Sequence, residues 1–456
     1  MKNYDAIIIG TGCGAIIAEE AVAHGWKTAM IDKGPLLGGT CLNWGCIPSK
    51  KLVYPADRIV DIQESGRLGI AADIRNIDFA AIMGRVRESR RVSQVQLRKG
   101  IKQAKGLDFY EGEGYFAGDR TLEVNGEKLR GKKIFIAAGS RPFIPPIKGL
   151  DRVDYLTNES VLELKERPES LIIIGGGYIA VEYGHFFAAM GTEVTILEMA
   201  DRLVLAEEPE IAALLEKKMK QRMRVHTGAR AGEVKAGRNG VTVVTIDKGS
   251  GREKRYTARH ILVAVGRRSN ADLLRVESTG LALDGRGFIE VNERLETSVK
   301  NIYAVGDITG RQMFTHMANR AAATVAQNVL HGTELAVDFA HVPHAVYSHP
   351  QIAAVGLREE EARPGHKIIV GRAKYDDVAK GEAMMETEGF AKAIVEAETD
   401  KILGFHIIGP YAPELIQEVV NAMKSGGGVR ELNEGIHIHP ALSELIPTTV
   451  NSAGEG

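Results

Sequence analysis

The chain has 456 residues, 44% hydrophobic and 26% charged, with 58 Lys plus Arg against 59 Asp plus Glu. Such a length implies about two to four domains with ample core, and the balanced charge leaves no footprint for nucleic acid or an anionic membrane surface. Three cysteines cannot build a disulfide framework; with no apolar run of ~20 residues and no secretory-signal layout in MKNYDAIIIG, a reducing cytoplasm is the expected compartment.

Residues 5–32 read as strand, glycine loop, helix and second strand, ending in Asp32. Gly10, Gly12 and Ala15 fall on the small-residue positions of the dinucleotide fingerprint. The first permits a tight turn, the second lets backbone approach a pyrophosphate, and the third allows close helix–strand packing. The helix N-terminus then offers N–H groups to phosphate, and the terminal acid can accept hydrogen bonds from ribose. Glycine-loop use also accounts for 51 glycines, above the ordinary share of about 7%. Cys13 sits inside this loop, where small size is the simplest reason for it.

The next stretch, GGTCLNWGCIPSK at 38–50, holds Cys41 and Cys46. Their spacing is not the CxxC of thioredoxin-like or zinc-ribbon motifs. Three readings stand at this point. Two buried unpaired thiols are one. A metal site is another, and it would need ligands such as His341, His344, His349, His437 or His439. The third is a pair cycling between dithiol and disulfide, with Pro48 shaping a turn or helix edge and the Lys50 cation favouring a thiolate. Trp44, between the thiols, reads as apolar packing, with a role in shaping the approach to Cys41 as the alternative.

Strand-like KIFIAAGSRP (133–142) follows, with Gly139 at its end. Residues 171–198 then repeat the first pattern: Gly175, Gly177 and Ala180 match the fingerprint positions, and Glu198 matches Asp32. Glu198 would repel a 2′-phosphate, so the second site is expected to take NAD(H) over NADP(H), although Arg202 lies nearby. HILVAVGRRSN (260–270) carries Gly266 at its strand end, and NIYAVGDITG (301–310) carries Asp307. An acid at the C-terminal end of an α/β strand lies where such sheets bind ligands, although Asp-x-x-Gly is also ordinary turn chemistry. From about 340 the pattern changes to alternating strands and one helix, PELIQEVVNAMKSGGG, whose apolar positions follow a helical period. This segment reads as a separate α+β domain for association. In HIHPALSE (437–444), Pro440 disfavours helix at His439 and suits a helix start, placing Glu444 in the first turns within reach of the imidazole.

These motifs, in this order over nearly the whole chain, resemble the class I pyridine nucleotide–disulfide oxidoreductases. The resemblance implies an α/β fold with two Rossmann-like domains and a C-terminal α+β dimerisation domain. FAD binds over 1–150 and 270–338, NAD over 151–269, and 339–456 form the dimer interface. It implies that Asp32 and Asp307 hold the adenosine ribose and ribityl chain of FAD, with Thr40, Gly114, Gly139, Gly266 and Thr315 among the cofactor-binding positions. Cys46 becomes the thiol beside the flavin and Cys41 the thiol that exchanges with substrate. Lys50 lies near the flavin and pairs with Glu182, and Tyr178 covers the flavin until nicotinamide arrives. His439, oriented by Glu444, is the acid–base group and acts on the disulfide of the other subunit, which implies a homodimer. GCIPSK and HxHPxLSE resemble the dihydrolipoamide dehydrogenase branch most, whose substrate is a lipoyl disulfide and whose members join 2-oxo-acid dehydrogenase complexes. IIGTGCGA and GGGYIAVEYGH look more like mycothione reductase, and Ser269, Asn319 and Arg320 depart from the dihydrolipoamide dehydrogenase pattern. Absence of cysteine in the C-terminal IPTTVNSAGEG disfavours the mercuric reductase and high-molecular-weight thioredoxin reductase types. A low-molecular-weight disulfide reductase is the second reading, and a nucleotide-binding redox sensor without disulfide turnover the third.

Overall fold

The computed structural model describes residues 1–238 and 240–454. Two compact units emerge: residues 1–49, 84–143 and 266–339 form the first, and 50–83, 144–265 and 340–456 the second.

The first unit is built on a seven-stranded sheet. Its order is Leu107–Glu111, Thr28–Asp32, Lys2–Ile9, Glu127–Ile136, Thr121–Val124, Gly114–Gly118, with Ile302–Ala304 also pairing Glu127–Ile136. Pairing is parallel around Lys2–Ile9 and antiparallel only in the hairpins of the last three strands. The Ile-rich central strands suit a sheet buried on both faces, and Ile7, Ile8, Ile31, Ile134 and Ile136 are all buried. Helix α1 (Gly14–Ala23) is the crossover between the first two strands. The short helix α2 (Gly39–Asn43) and helix α3 (Cys46–Gln63) follow at once, then α4 (Phe79–Gln103).

The second unit repeats the βαβ theme. Four parallel strands run in the order Arg224–His226, Glu193–Leu197, Ser170–Ile174, His260–Val263, and α5 (Tyr178–Ala189) connects the middle two. An antiparallel three-stranded sheet spans Ala229–Gly237, Gly240–Asp247 and Glu253–Ala258, and α6 covers Pro209–Lys220. The C-terminal part is an antiparallel five-stranded sheet, ordered His344–Val346, Ile352–Gly356, Ile402–Ile408, Phe390–Glu396, Ile368–Lys374. The expected helix runs Ala412–Lys424 and buries Ala412, Ile416, Val419 and Met423, one apolar face at helical spacing. It stops at Gly426, whose φ of +74° suits a residue without Cβ.

Two local expectations need correction. In the first repeat Ala15 is exposed, and Gly14 makes the close approach: a Cβ at Gly14 would lie 2.8 Å from Ile8 Cγ2 and 3.1 Å from Ala137 Cβ. In the second repeat Ala180 is fully buried. After Pro440 the chain makes a single tight turn at Leu442–Glu444 before the helix Leu445–Asn451, so Glu444 precedes the α-helix instead of lying within it. Among the described residues, no helix is long and apolar enough to cross a membrane.

Candidate active site

The first glycine loop is shaped by exclusion. Gly10 has φ +104°, and a Cβ there would sit 2.3 Å from the Ala137 carbonyl oxygen. Only glycine fits, because both the left-handed backbone and the neighbouring strand forbid a side chain. Gly39, the first residue of α2, lies against this loop: a Cβ on it would meet Gly12 Cα at 2.9 Å. Asp32 closes the arrangement. Its Oδ2 accepts the Thr11 amide at 2.9 Å and the Thr11 hydroxyl at 2.5 Å, and its Oδ1 accepts the Gly34 amide at 3.1 Å. The Thr11 hydroxyl in turn accepts the Gly38 amide at 2.8 Å. A bare glycine loop at a helix N-terminus beside an acid with acceptor capacity left fits the pyrophosphate and ribose of a dinucleotide.

The segment packed against that loop through Gly39 carries the two thiols. Cys41 lies within α2, and Cys46 is the first residue of α3. Neither is in a disulfide; Cys46 is exposed and Cys41 half-buried. Cys46 Sγ lies 3.3 Å from the Thr315 hydroxyl at the start of α7 (Thr315–His331). The Cys41 thiol is held well above its ordinary range, first by hydrogen bonding to the Cys46 sulfur and then by burial, with Thr315 opposing. Cys46 stands at the positive end of an 18-residue helix, a place that favours negative charge. Cys13 is different in kind: burial pushes its thiol up to about 12, and its sulfur packs against Gly306, where a Cβ would come within 3.1 Å. Trp44 is half-buried at the end of α2.

Gln94, which no motif announces, and Asn43, within the motif itself, hold the thiol segment. Gln94, on α4, donates to the Leu37 carbonyl at 2.8 Å and to Asn43 Oδ1 at 2.9 Å, and accepts the Leu37 amide at 2.8 Å. Asn43 donates to the Leu37 and Gly39 carbonyls at 2.8 and 3.0 Å. Asp307 is likewise more than a turn residue. Its Oδ2 accepts the Ser140 hydroxyl at 2.7 Å, and Arg267, almost fully buried, lies 3.7 Å away. Arg267 donates to Ser140 Oγ and to the Ser140 carbonyl, both at 2.7 Å, and to the Thr40 hydroxyl at 3.4 Å. Gly139 and Gly266, at φ +68° and +128°, form the turns that bring these strand ends together. Gly114 begins the hairpin strand Gly114–Gly118, where a Cβ would press within 2.9 Å of Ile31.

In the second unit Gly175 repeats Gly10: φ is +116°, and a Cβ would lie 2.3 Å from the Ala264 carbonyl oxygen. Gly177 precedes α5, and Tyr178 opens it, 40% exposed. Glu198 follows the strand Glu193–Leu197, its Oε1 accepting the Ala200 amide at 2.6 Å. This loop also fits a dinucleotide. The structure brings Lys50 and Glu182 together at 2.7 Å. Glu182 is 7% exposed and also accepts the Tyr347 amide at 3.1 Å, while the Lys50 ammonium lies 4.1 Å from the Tyr347 ring centre, within cation–π range.

His439 and Glu444 are joined at 2.9 Å through Nδ1 and Oε1, and Glu444 Oε2 accepts the Ala441 amide at 2.9 Å. The amide first, and the imidazole second, hold the Glu444 carboxyl below the usual range. An Nδ1–H donated to a carboxylate leaves the Nε2 lone pair outward as a proton acceptor. The imidazole is 70% exposed, and Ile436 and Ile438 beside it are among the most exposed apolar side chains of the chain. Among the described residues no group of three or more His, Cys, Asp or Glu could hold a metal ion.

Residues 4–322 match the family described as pyridine nucleotide-disulphide oxidoreductase, and residues 342–450 match its dimerisation domain. A dihydrolipoyl dehydrogenase from Geobacillus stearothermophilus is 36% identical over 97% of this chain and 94% of its own length. A mycothione reductase from Mycobacterium tuberculosis is 36% identical over 98% of each chain. Among solved structures, the Cu(II) complex of the HOCl-induced flavoprotein disulfide reductase RclA from Escherichia coli superposes with a TM-score of 0.88 at 30% identity, covering 99% of both chains.

Proposed function

This chain belongs to the pyridine nucleotide-disulphide oxidoreductase family, and from that premise we propose that it exchanges electrons between NAD(H) and a dithiol/disulfide couple through Cys41 and Cys46, with dihydrolipoamide, free or protein-bound, as the substrate. It is accordingly a flavoprotein disulfide oxidoreductase. The observation that carries the reading is the thiol pair itself: Cys41 in α2 within hydrogen-bonding reach of a Cys46 that sits at a helix N-terminus beside Thr315.

The first glycine loop, with Asp32, Thr40, Gly114, Gly139, Gly266, Asp307 and Thr315, would hold FAD; Lys50 and Glu182 would flank its reactive end. The second loop, with Tyr178, Ala180 and Glu198, would hold NAD(H), and the Glu198 carboxylate disfavours a 2′-phosphate. FAD, when bound, supplies the two-electron chemistry that links nicotinamide to thiols. In the oxidised enzyme a substrate thiolate attacks Cys41 Sγ, the Cys41–Cys46 bond breaks, and Cys46 leaves as a thiolate. The second substrate thiol then attacks the mixed disulfide, releasing cyclic disulfide and the Cys41 thiol. His439 Nε2 takes the proton from the attacking thiol, with Glu444 fixing the ring. The half-reaction balances: one dithiol is oxidised and one disulfide reduced. His439 stands exposed amid apolar residues, and the matched dimerisation domain supports a homodimer in which a second copy's His439 serves this Cys41. Residues 1–150 and 270–338 are assigned to the FAD domain, 151–269 to the NAD domain and 339–456 to the interface.

The mycothione reductase relative, matched over 98% of each chain, favours a low-molecular-weight disulfide as the second reading. Turnover of lipoamide, glutathione disulfide and mycothiol-type disulfide, each with NADH and NADPH, decides between them. Lipoamide with NADH is expected to turn over fastest. Cys41→Ser is expected to abolish disulfide turnover and keep NADH-dependent bleaching of the flavin absorbance. A Cys41→Ser enzyme that still turns over disulfides sinks the assignment, and a wild type inert to every disulfide supports a redox-sensor role instead.

A further inference from the structure

The turn after Glu198 has an open tip and a buried base. Met199 and Leu205 are 64% and 56% exposed, whereas Leu203, Val204, Glu207 and Glu208 are buried. Val204 has φ +39°, an unfavourable conformation for a β-branched residue that persists only where surroundings enforce it. Its amide donates to the Gly176 carbonyl at 2.8 Å, inside the second glycine loop, and its carbonyl accepts the Glu207 amide at 2.8 Å. A Cβ on Gly176 would in turn lie 2.7 Å from Glu198 Cγ. Backbone hydrogen bonding thus ties the turn to the dinucleotide loop.

The base of the turn is held from the other side by the stretch matched to the dimerisation domain. Glu207 Oε1 pairs with His344 Nε2 at 2.8 Å. Glu208, which precedes α6, accepts from Lys392 Nζ at 2.9 Å, with both side chains only 2% exposed, and also accepts the Glu359 amide at 2.5 Å. Lys392 further contacts Glu210 and Glu359 at 2.6 and 2.7 Å. Burying this many charges is poorly explained as a stabilising device, since apolar residues of similar volume usually serve as well or better. Among the described residues, moreover, Glu207 Oε2 and His406 Nδ1 are buried without a hydrogen-bond partner, an added cost.

We propose that His344 and Lys392, acting through Glu207 and Glu208, are positioning residues that set the affinity of the second glycine loop for nicotinamide dinucleotide by holding the 199–208 turn against Gly176. Nucleotide affinity is thereby set in part from the dimerisation domain. This rests on the reading of the second loop as the NAD(H) site. None of the four residues needs to touch the dinucleotide.

The test uses the full-length flavoenzyme. NAD⁺ binding is measured by equilibrium dialysis, and NADH kinetics with the best disulfide, for wild type, His344→Gln, Lys392→Met and Lys392→Arg. Coupling through a packed network predicts a rise of about fivefold or more in NAD⁺ Kd and NADH KM for His344→Gln and Lys392→Met, with kcat and flavin content within about twofold. Lys392→Arg, which keeps the charge, should recover most of the affinity. Wild-type binding with every folded variant inside about twofold overturns the inference and leaves the NAD(H) reading intact. A wild type that binds no NAD⁺ overturns the NAD(H) reading and the inference together. His344→Gln changes one half-buried side chain, so it keeps the test decisive should Lys392→Met fail to fold.

Discussion

Replacing Gln94 by Leu removes the brace of the thiol segment while nearly conserving volume. The wild-type amide makes three hydrogen bonds at 2.8–2.9 Å, to both backbone groups of Leu37 and to Asn43 Oδ1. The Leu37 carbonyl keeps its bond from Asn43 Nδ2, but the Leu37 amide and Asn43 Oδ1, in residues that are fully buried, lose the partner that Gln94 supplies. Each buried group left unsatisfied costs about 1–3 kcal/mol, so the local loss is about 2–6 kcal/mol. A 456-residue chain in two compact units need not unfold in one step, so the loss belongs in a local measurement. Hydrogen exchange of the amides of residues 37–46 should speed up by at least about tenfold in Gln94→Leu, about 1.4 kcal/mol or more. Titration of Cys41 and Cys46 with a chromogenic disulfide should quicken as α2 loosens. Exchange and thiol reactivity both within twofold of wild type would refute the reasoning and make Gln94 an ordinary packing residue.

Lys50→Met leaves the Glu182 carboxylate buried without its cation. It should cost about 1–3 kcal/mol in urea unfolding, less than a fully buried pair because Lys50 is a third exposed. The Lys50→Met/Glu182→Met double variant should recover part of that, and a coupling energy of zero in the cycle would count against the pairing. Stability should also fall on acidification. His185 is fully buried and lowered to about 4, first by burial, although its Nε2 meets Asp57 at 2.8 Å; the charges of Arg222 and His349 press in the same direction as burial. Arg222 donates to its Nδ1 at 2.9 Å, which fixes a neutral ring with the proton on Nε2. Between the unfolded value of about 6.5 and the folded value only the unfolded chain binds this proton. Stability is therefore full above about pH 6.5 and declines, by up to about 1.4 kcal/mol per pH unit, as pH falls toward 4. Thermal unfolding stepped from pH 7.5 to 4.5 should show a shallower decline in His185→Gln; parallel curves would refute this.

Much of the site lies in short runs of sequence because the chemistry there is local. A glycine loop, a helix start and a strand end must be contiguous to form a phosphate cradle. The thiol pair and the His439–Glu444 contact likewise each sit within a few residues. Ala15 misled because the fingerprint position and the packing position are separate in the first repeat, and the neighbouring Gly14 makes the approach. Glu444 came one turn early because its acceptance of the Ala441 amide favours a tight turn before the helix. What stayed invisible is tertiary. Gln94 looks like any polar residue on a basic helix; its three partners lie more than fifty positions away. Ser140 and Arg267, which organise Asp307, meet only when two strand ends converge. The buried Lys392 gives no local sign either, since its carboxylates come from two other segments.

Gly10 and Gly175 are excluded from change by the same contact, a carbonyl oxygen 2.3 Å from where a methyl would stand. A loop that tolerates one residue carries no information about which nucleotide it receives. The two copies differ further out, at the strand ends Asp32 and Glu198 and in the segments that follow them. One copy continues into a helix bearing thiols, the other into a turn strapped down by carboxylates. For an engineer wishing to change which nicotinamide dinucleotide the second loop prefers, the place to work is the turn at 198–208, and its buried anchors limit how far that turn can be redrawn.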